Sequence, residues 1–475
     1  MQIFNQTLGA SYDDNVLLMD RLLRVTESAD LIRRALTVGG ARMVLYYVDG
    51  FIQAPSLQKL LTHILSVQDF GDGGEGDAAR FAQRGLPAVE VEVTASFDRL
   101  ILAVLSGCCA FLCEGFGPAA LVIDLRAYPA REASEPENDR VMRGSRDGFV
   151  ETLLFNTAMI RRRIRDTSLT VRYLNVGTST RTDLALVYMA DRADGALVRE
   201  LTEKLSRLKT ESLVLGHQSV AESLVRTRWY NPFPKIRTTE RPDAAAASIL
   251  EGSLLLLCDN SPEAMIFPTS VFDFLQETDD FYLSPLTGSY LRLLRHGVFL
   301  LSLLLTPVWY LLLKNPAWVP PWLSLIFPQN PGALPILLQL YLTELALDGL
   351  KLASLNTPNV LSNSLSVVGG LLLGDFAVTV GWLSPDVILY MAFVGIANFT
   401  QSSYELGYAF KYLRLLLLTL TAIGNIWGFG LGIVLILVLL ATNRTPLGGR
   451  SYLYPLIPFD GRALRRLILR VKKWN

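Results

Sequence analysis

The sequence predicts an α+β cytosolic amino-terminal region, made of two small α/β subdomains, followed by an all-α polytopic membrane domain of four to six helices. Charge is the first observation behind this. Of the 475 residues, positions 1–290 hold 30 Lys/Arg and 38 Asp/Glu, 291–441 hold six and five, and 442–475 hold eight and one. The second is a set of long uncharged stretches confined to the carboxy-terminal third. The third is that apolar spacing before residue 290 alternates between the periods of helix and strand. The predicted divisions are 1–130, a linker at 131–146, 147–290, a membrane domain at 291–441 and a basic cytoplasmic tail at 442–475.

In the first subdomain VLLMDRLLRV has helical spacing, MVLYYVDG reads as a strand ending in a turn, and SLQKLLTHIL as a second helix. GDGGEGD, from Gly71 to Asp77, interrupts them; it is acidic and lacks the Gly-Lys-Ser/Thr ending of a phosphate-cradling loop, so it reads as surface loop. VEVEV alternates at period two, DRLILAVLSG reads as a helix or a buried strand, and AALVIDLRAYPAR as a strand leading outward. Cys108, Cys109 and Cys113 lie in LILAVLSGCCAFLCEG, where thiols are expected to be packed and reduced; the fourth cysteine is Cys258. His63, His217 and His296 are scattered away from that cluster, so neither a metal nor a cofactor is expected. The opening residues carry no basic and apolar leader, which predicts a cytoplasmic amino-terminal region.

EASEPENDR reads as the charged linker. The second subdomain is predicted to hold a helix from about 147 to 165, strands in LTVRYLNVG and TDLALVYMA, and a helix starting on Asp194. NPFPKIRTTERPD and SLLLLCDNSPEAMIFPTS then read as strands or buried loops closing the domain near Ser289.

VFLLSLLLTPVWYLLL, within the uncharged run 296–313, reaches spanning length once its flanks are included, and Trp309 and Tyr310 fit an aromatic belt. Uncharged stretches follow at 352–374, 387–404 and 415–443. The last is 29 residues, roughly 44 Å as one straight helix against about 30 Å of hydrocarbon. It must tilt, overhang or fold into a tight pair around Asn425–Gly428. The segment 336–355 differs, because Glu344, Asp348 and Lys351 gather on one side of a helical wheel opposite Leu338, Leu342, Leu345 and Leu352. Such a helix lies flat at the interface or stands in a bundle with its charged side toward water. The positive-inside rule puts RRLILRVKKWN and the flank with Arg292 and Arg295 in the cytoplasm, which demands an even number of crossings. Six crossings place Lys351, Lys411 and Arg414 inside as well; four plus an interfacial helix is the competing count.

Acidic side chains within membrane segments point to function, and Glu344, Asp348 and Asp375 form the candidate ion path. Asp386, after Ser-Pro, reads as a helix cap, and Glu405 as a surface residue near Lys411. Glu344 and Asp348 share one helical face, where they repel unless water, a cation or a proton intervenes. The polar runs 356–364 and 398–403 suit a constriction or bonds between helices. In the amino-terminal region Arg143, Arg146, Arg161, Arg162, Arg163 and Arg165 are the candidate subunit-contact residues; RRRIR reads equally as a phosphate patch or a solvated helix face. The acidic excess of 1–290 argues against nucleic acid, and the lack of a catalytic set or dinucleotide fingerprint argues against an enzyme.

RGSRDGFVETLLFNTAMIRRRIR, YNPFPKIRTTERPD, EGSLLLLCDNSP, FPTS and YPLIPFDG, in that order, resemble the A-subunit family of bacterial spore germination receptors from about Val44 to Arg462. RGSRDGF looks most like the stage V sporulation branch, since nutrient-receptor A subunits tend to carry a Pro-Arg-Glu-Gly-Phe variant. The resemblance implies a multi-pass protein of the spore inner membrane that self-assembles, as a ring, into a channel releasing monovalent cations. It implies other spore germination membrane proteins as partners: B and C subunits for the nutrient receptors, and an accessory, signal-strengthening role for the stage V branch. A nutrient-receptor A subunit and a non-conducting scaffold are the alternative functions.

Overall fold

The computed structural model describes the chain except residues 1–5, 72–73, 75, 84–85, 89, 128–143, 209, 226–229, 278, 356–368, 371–375, 402, 444, 448–450 and 470–475. It divides into two compact units. One comprises Met1–Arg226, Ile236–Thr269 and Pro446–Gly449; the other comprises Thr227–Lys235, Ser270–Thr445 and Arg450–Asn475.

The first unit is built twice over. Its first half runs α1 (Tyr12–Leu23), β1 (Leu31–Val38), β2 (Ala41–Val48), α2 (Ala54–Ser66), α3 (Asp77–Gln83), β3 (Val91–Thr94), α4 (Phe97–Leu105), β4 (Cys109–Cys113) and β5 (Ala120–Ile123). Its second half runs α5 (Leu153–Arg163), β6 (Leu169–Val176), β7 (Thr182–Met189), α6 (Gly195–Ser206), α7 (His217–Leu224), β8 (Arg237–Thr239), α8 (Pro242–Leu250), β9 (Leu254–Cys258) and β10 (Ala264–Phe267). The two antiparallel sheets are ordered β1-β2-β4-β5-β3 and β6-β7-β9-β10-β8. Helices and strands alternate identically in both halves, and the strand orders correspond position by position.

Each sheet is covered on both faces. Val44, Tyr46 and Leu112 cluster with α1 and α4, whereas Met43, Leu45 and Phe111 cluster with α2 and α3. Val171, Val187 and Leu255 cluster with α5 and α8, and Leu186, Leu256 and Met265 with α6 and α7. Double coverage explains why the central strands CAFLC and LLLLC are continuously apolar. It also explains the ambiguity of DRLILAVLSG, which forms α4 behind an N-cap at Ser96, while the strand lies just downstream. All four cysteines are free and buried. Burial pushes the Cys109 and Cys258 thiols up to about 12 and Cys113 to about 11, which keeps them protonated.

Two features differ from expectation. β1, an edge strand with Arg33, Arg34 and Ala35 exposed, lacks the alternation that would announce it. The helix expected from residue 147 begins at Leu153, because the preceding residues are held extended: the Phe149 amide donates to the Glu240 carbonyl (2.8 Å), and the Asn156 carboxamide bonds both backbone groups of Val150.

The second unit is helical: the single turn α9 (Asp279–Tyr282), then α10 (Pro285–Lys314), α11 (Ile336–Leu355), α12 (Pro385–Phe399), α13 (Tyr404–Ala441) and α14 (Gly461–Ile468). By length and composition α10 and α13 could each cross a membrane. α13 breaks at Asn425 (φ 52°, ψ −130°), a conformation of type II′ turns. Beyond the break the chain folds back: a Cβ on Gly428 would overlap the Leu420 carbonyl, and Gly432 lies against Leu417. The run 415–443 thus adopts the tight pair. Asn315 and Asn425 clamp the break through reciprocal carboxamide hydrogen bonds of 2.6 and 2.9 Å.

Polarity in this unit is inverted relative to a water-soluble bundle. Leu300, Leu345, Phe393, Ile423 and Leu437 are exposed, whereas Ser302, Gln339, Glu344, Lys411, Arg414 and Thr421 are buried. α11 accordingly turns Leu338, Leu342, Leu345 and Leu352 outward and Glu344 inward, opposite to the water-facing orientation its wheel suggested. Lys411 and Arg414, expected at a cytoplasmic surface, are buried with it.

Candidate functional site

Among the described residues, two polar constellations contain side chains singled out in the sequence. In the first unit they gather around α5. Asp259, following β9, accepts from the Leu153 amide (3.0 Å) and so caps α5, and the Asn260 amide donates to the Glu151 carbonyl (2.8 Å). Arg241, wholly buried, donates to Asp243 (2.7 Å) and to the Ser145 carbonyl (2.9 Å). Arg163 donates to the Asp147 carboxylate (2.5 and 2.6 Å) and to Ser145. Burial alone would raise the Asp147 carboxyl; hydrogen bonds from Arg163 and Ser145 outweigh it and hold the group below its ordinary range. Arg161 reaches across to the first half of the unit. Its Nε and Nη2 donate to Asp30 (2.6 and 2.9 Å), and further bonds go to Ser28 and to the carbonyls of Asp166 and Leu169. Ser28 in turn accepts from the Val171 amide, and the Ala29 amide donates to the Val171 carbonyl.

The second constellation lies inside the helical unit. Arg414 of α13 donates to Glu344 of α11 (2.7 Å) and to the Ser302 carbonyl of α10 (2.8 Å). Lys411, one turn earlier, pairs with Asp348 and stands 3.8 Å from Glu344. Two carboxylates and two cations are therefore brought together with no net charge. Glu344, Lys411 and Arg414 are nearly water-free, while the Asp348 side chain keeps 32% of its exposure. At the same helix end Lys351 lies over the rings of Tyr404 and Tyr408, 4.6 and 4.8 Å from their centroids. In this state Glu344 is paired with Arg414 and Asp348 with Lys411, cations of the protein itself.

The residues that converge on α5 come from three stretches of the first unit: Ser145–Asp147, Glu240–Asp243 and Asp259–Asn260. Residues 20–475 match the family described as Bacillus/Clostridium GerA spore germination protein. The chain belongs to the GerA family. Stage V sporulation protein AF of Bacillus subtilis (strain 168) is 35% identical over 449 residues, covering 94% of this chain and 90% of its own. Spore germination protein KA of the same organism is 27% identical over 456 residues, covering 95% and 83%. Spore germination protein GerLA of Bacillus cereus is 27% identical over 455 residues, covering 94% and 90%. Among solved structures, the N-terminal domain of the A subunit of the Bacillus megaterium spore germinant receptor GerK3 aligns at 21% identity and a TM-score of 0.42, covering 56% of this chain and 97% of that one.

Within this GerA-family chain the structure brings together Glu344 and Asp348 of the candidate ion path; Asp375, like Arg143, lies outside the described residues. The candidate subunit-contact arginines part company. Arg146, Arg162 and Arg165 are exposed, Arg163 is tied to Asp147, and Arg161 is enclosed within the chain, where it offers nothing to a neighbour. Sequence reasoning missed Arg241, Asp259 and Asp30 on the first constellation. It also missed Lys411 and Arg414 as partners of the acids. A signal for these existed: two cations three residues apart on one helix match two acids four apart on another.

Proposed function

We propose that this GerA-family chain is a multi-pass protein of the spore inner membrane, with both termini cytoplasmic, that assembles with copies of itself and conducts monovalent cations during germination. The observation that carries the reading is the inverted helical unit, with apolar side chains outside and a charge-balanced Glu344–Arg414–Lys411–Asp348 network inside. Glu344 and Asp348, with Asp375 from the sequence, supply the ion path; Arg146, Arg162 and Arg165, with Arg143 from the sequence, supply contacts between subunits. Purified protein in liposomes should release potassium or sodium, and the Glu344→Gln/Asp348→Asn variant should slow that release at least about tenfold, since it leaves Lys411 and Arg414 as uncompensated cations on the path. Wild-type vesicles that stay tight would remove the channel.

A second reading, an A subunit acting with B and C subunits or a non-conducting relay scaffold, is favoured by the pairing of Glu344 with Arg414 and of Asp348 with Lys411. It predicts that co-expressed B and C subunits co-purify with the chain, and that the double variant germinates at the wild-type rate.

A further inference from the structure

We propose that the segment 456–468 is a membrane-surface anchor that binds anionic phospholipid headgroups, an assignment that rests on the membrane reading above. Three large apolar side chains stand open at its start: Leu456, Ile457 and Phe459 are 44%, 57% and 74% exposed. α14 follows at once, with Arg462 and Arg465 exposed and Leu467 turned inward at 6%. Asp460, the one acidic residue after position 441, is fully engaged. It accepts from the Arg462 and Ala463 amides (3.0 and 3.1 Å) and from the Tyr454 hydroxyl (3.0 Å). These bonds, led by that of Ala463, hold its carboxyl below the ordinary range. The outward face therefore presents the guanidinium groups of Arg462 and Arg465 beside apolar side chains, against the single carboxylate of Asp460, which is tied to the two amides and the Tyr454 hydroxyl.

The segment is also fixed to the helical unit. Tyr452 is buried beside Phe233 in a cluster with Phe299 and Phe410, its carbonyl accepts from the Val271 amide (2.9 Å), and α14 touches α10. The apolar trio and the basic face thus belong to the body that holds the helices long enough to cross a bilayer, beside α10 and both ends of α13. Apolar groups entering the acyl boundary next to cations at phosphate level is the pattern of interfacial segments. The sequence adds Arg466, Arg470, Lys472 and Lys473 to the same tail. An eight-to-one excess of basic over acidic residues from 442 onward selects an anionic lipid surface as the occupant.

Full-length protein in nanodiscs of phosphatidylcholine alone, and of phosphatidylcholine mixed with phosphatidylglycerol, tests the assignment by hydrogen–deuterium exchange of 456–468. Exchange should be about tenfold slower in the anionic discs, because the negative surface potential holds the basic side chains against it. High salt should abolish the difference on the wild-type protein, whatever the variants do. R462Q/R465Q should abolish it at low salt, and F459S should speed exchange in both lipids. Equal exchange in the two lipids, with the protein still in the discs, overturns the anchor alone. Failure of the protein to enter either disc overturns the membrane reading and the anchor with it.

Discussion

A guanidinium that loses all contact with water must recover its hydrogen bonds from the protein, and Arg161 does so through five. Removing it while leaving Asp30 buried strands a carboxylate. Arg161→Ala should therefore destabilise the first unit by about 3–5 kcal/mol, seen as trypsin cleavage of the full chain at lower temperature. The double variant Arg161→Met/Asp30→Ala should recover much of that loss, because it removes both charges without adding volume. The sequence shows RRRIR as one patch, yet successive helical residues point about 100° apart, so adjacent arginines cannot share an environment. Which of them turns inward depends on Asp30, more than a hundred positions earlier. Local pattern holds no trace of that distance.

At the scale of elements, the turn inside α13 is the clearest case of geometry set by small residues. Gly428 and Gly432 let the second arm close on Leu420 and Leu417. Gly428→Val should force the arms apart, lowering the melting temperature in detergent by an amount equivalent to roughly 1–3 kcal/mol of overpacking. Gly430, with open space where its Cβ would stand, should accept Ala with no comparable loss. Length arithmetic on the 29 uncharged residues already restricted this run to three conformations, one of them the hairpin. The face of α11 was legible in the same way, and its direction was not. A helical wheel separates two faces, but only the neighbours decide which one is inside, and here Lys411 and Arg414 draw the acids inward.

Over the whole chain, the division into an α/β part and a helical part was readable from charge, uncharged stretches and apolar spacing together, and most strands of the first part from apolar runs. The duplication was not. The correspondence of the two halves lies in their strand order, which only the paired sheets reveal, and an exposed edge strand such as β1 gives no periodic signal. Their contact is extensive: Ser28, Ala29 and Asp30 bond to β6 and Arg161, and Arg165 reaches Ser106. A protease site inserted between 131 and 142 and then cut should therefore leave the first half bound to the rest of the chain in detergent until denaturant is added. Release on cutting alone would show that these contacts do not hold the halves together.

Ala158 of α5 belongs to the hydrophobic cluster of the first half, although α5 opens the second. The two halves are thus tenants with a common wall. A fragment ending before that helix would be made with one side unfinished, and it would seek the missing wall on any chain that offers one, including another molecule of its own kind.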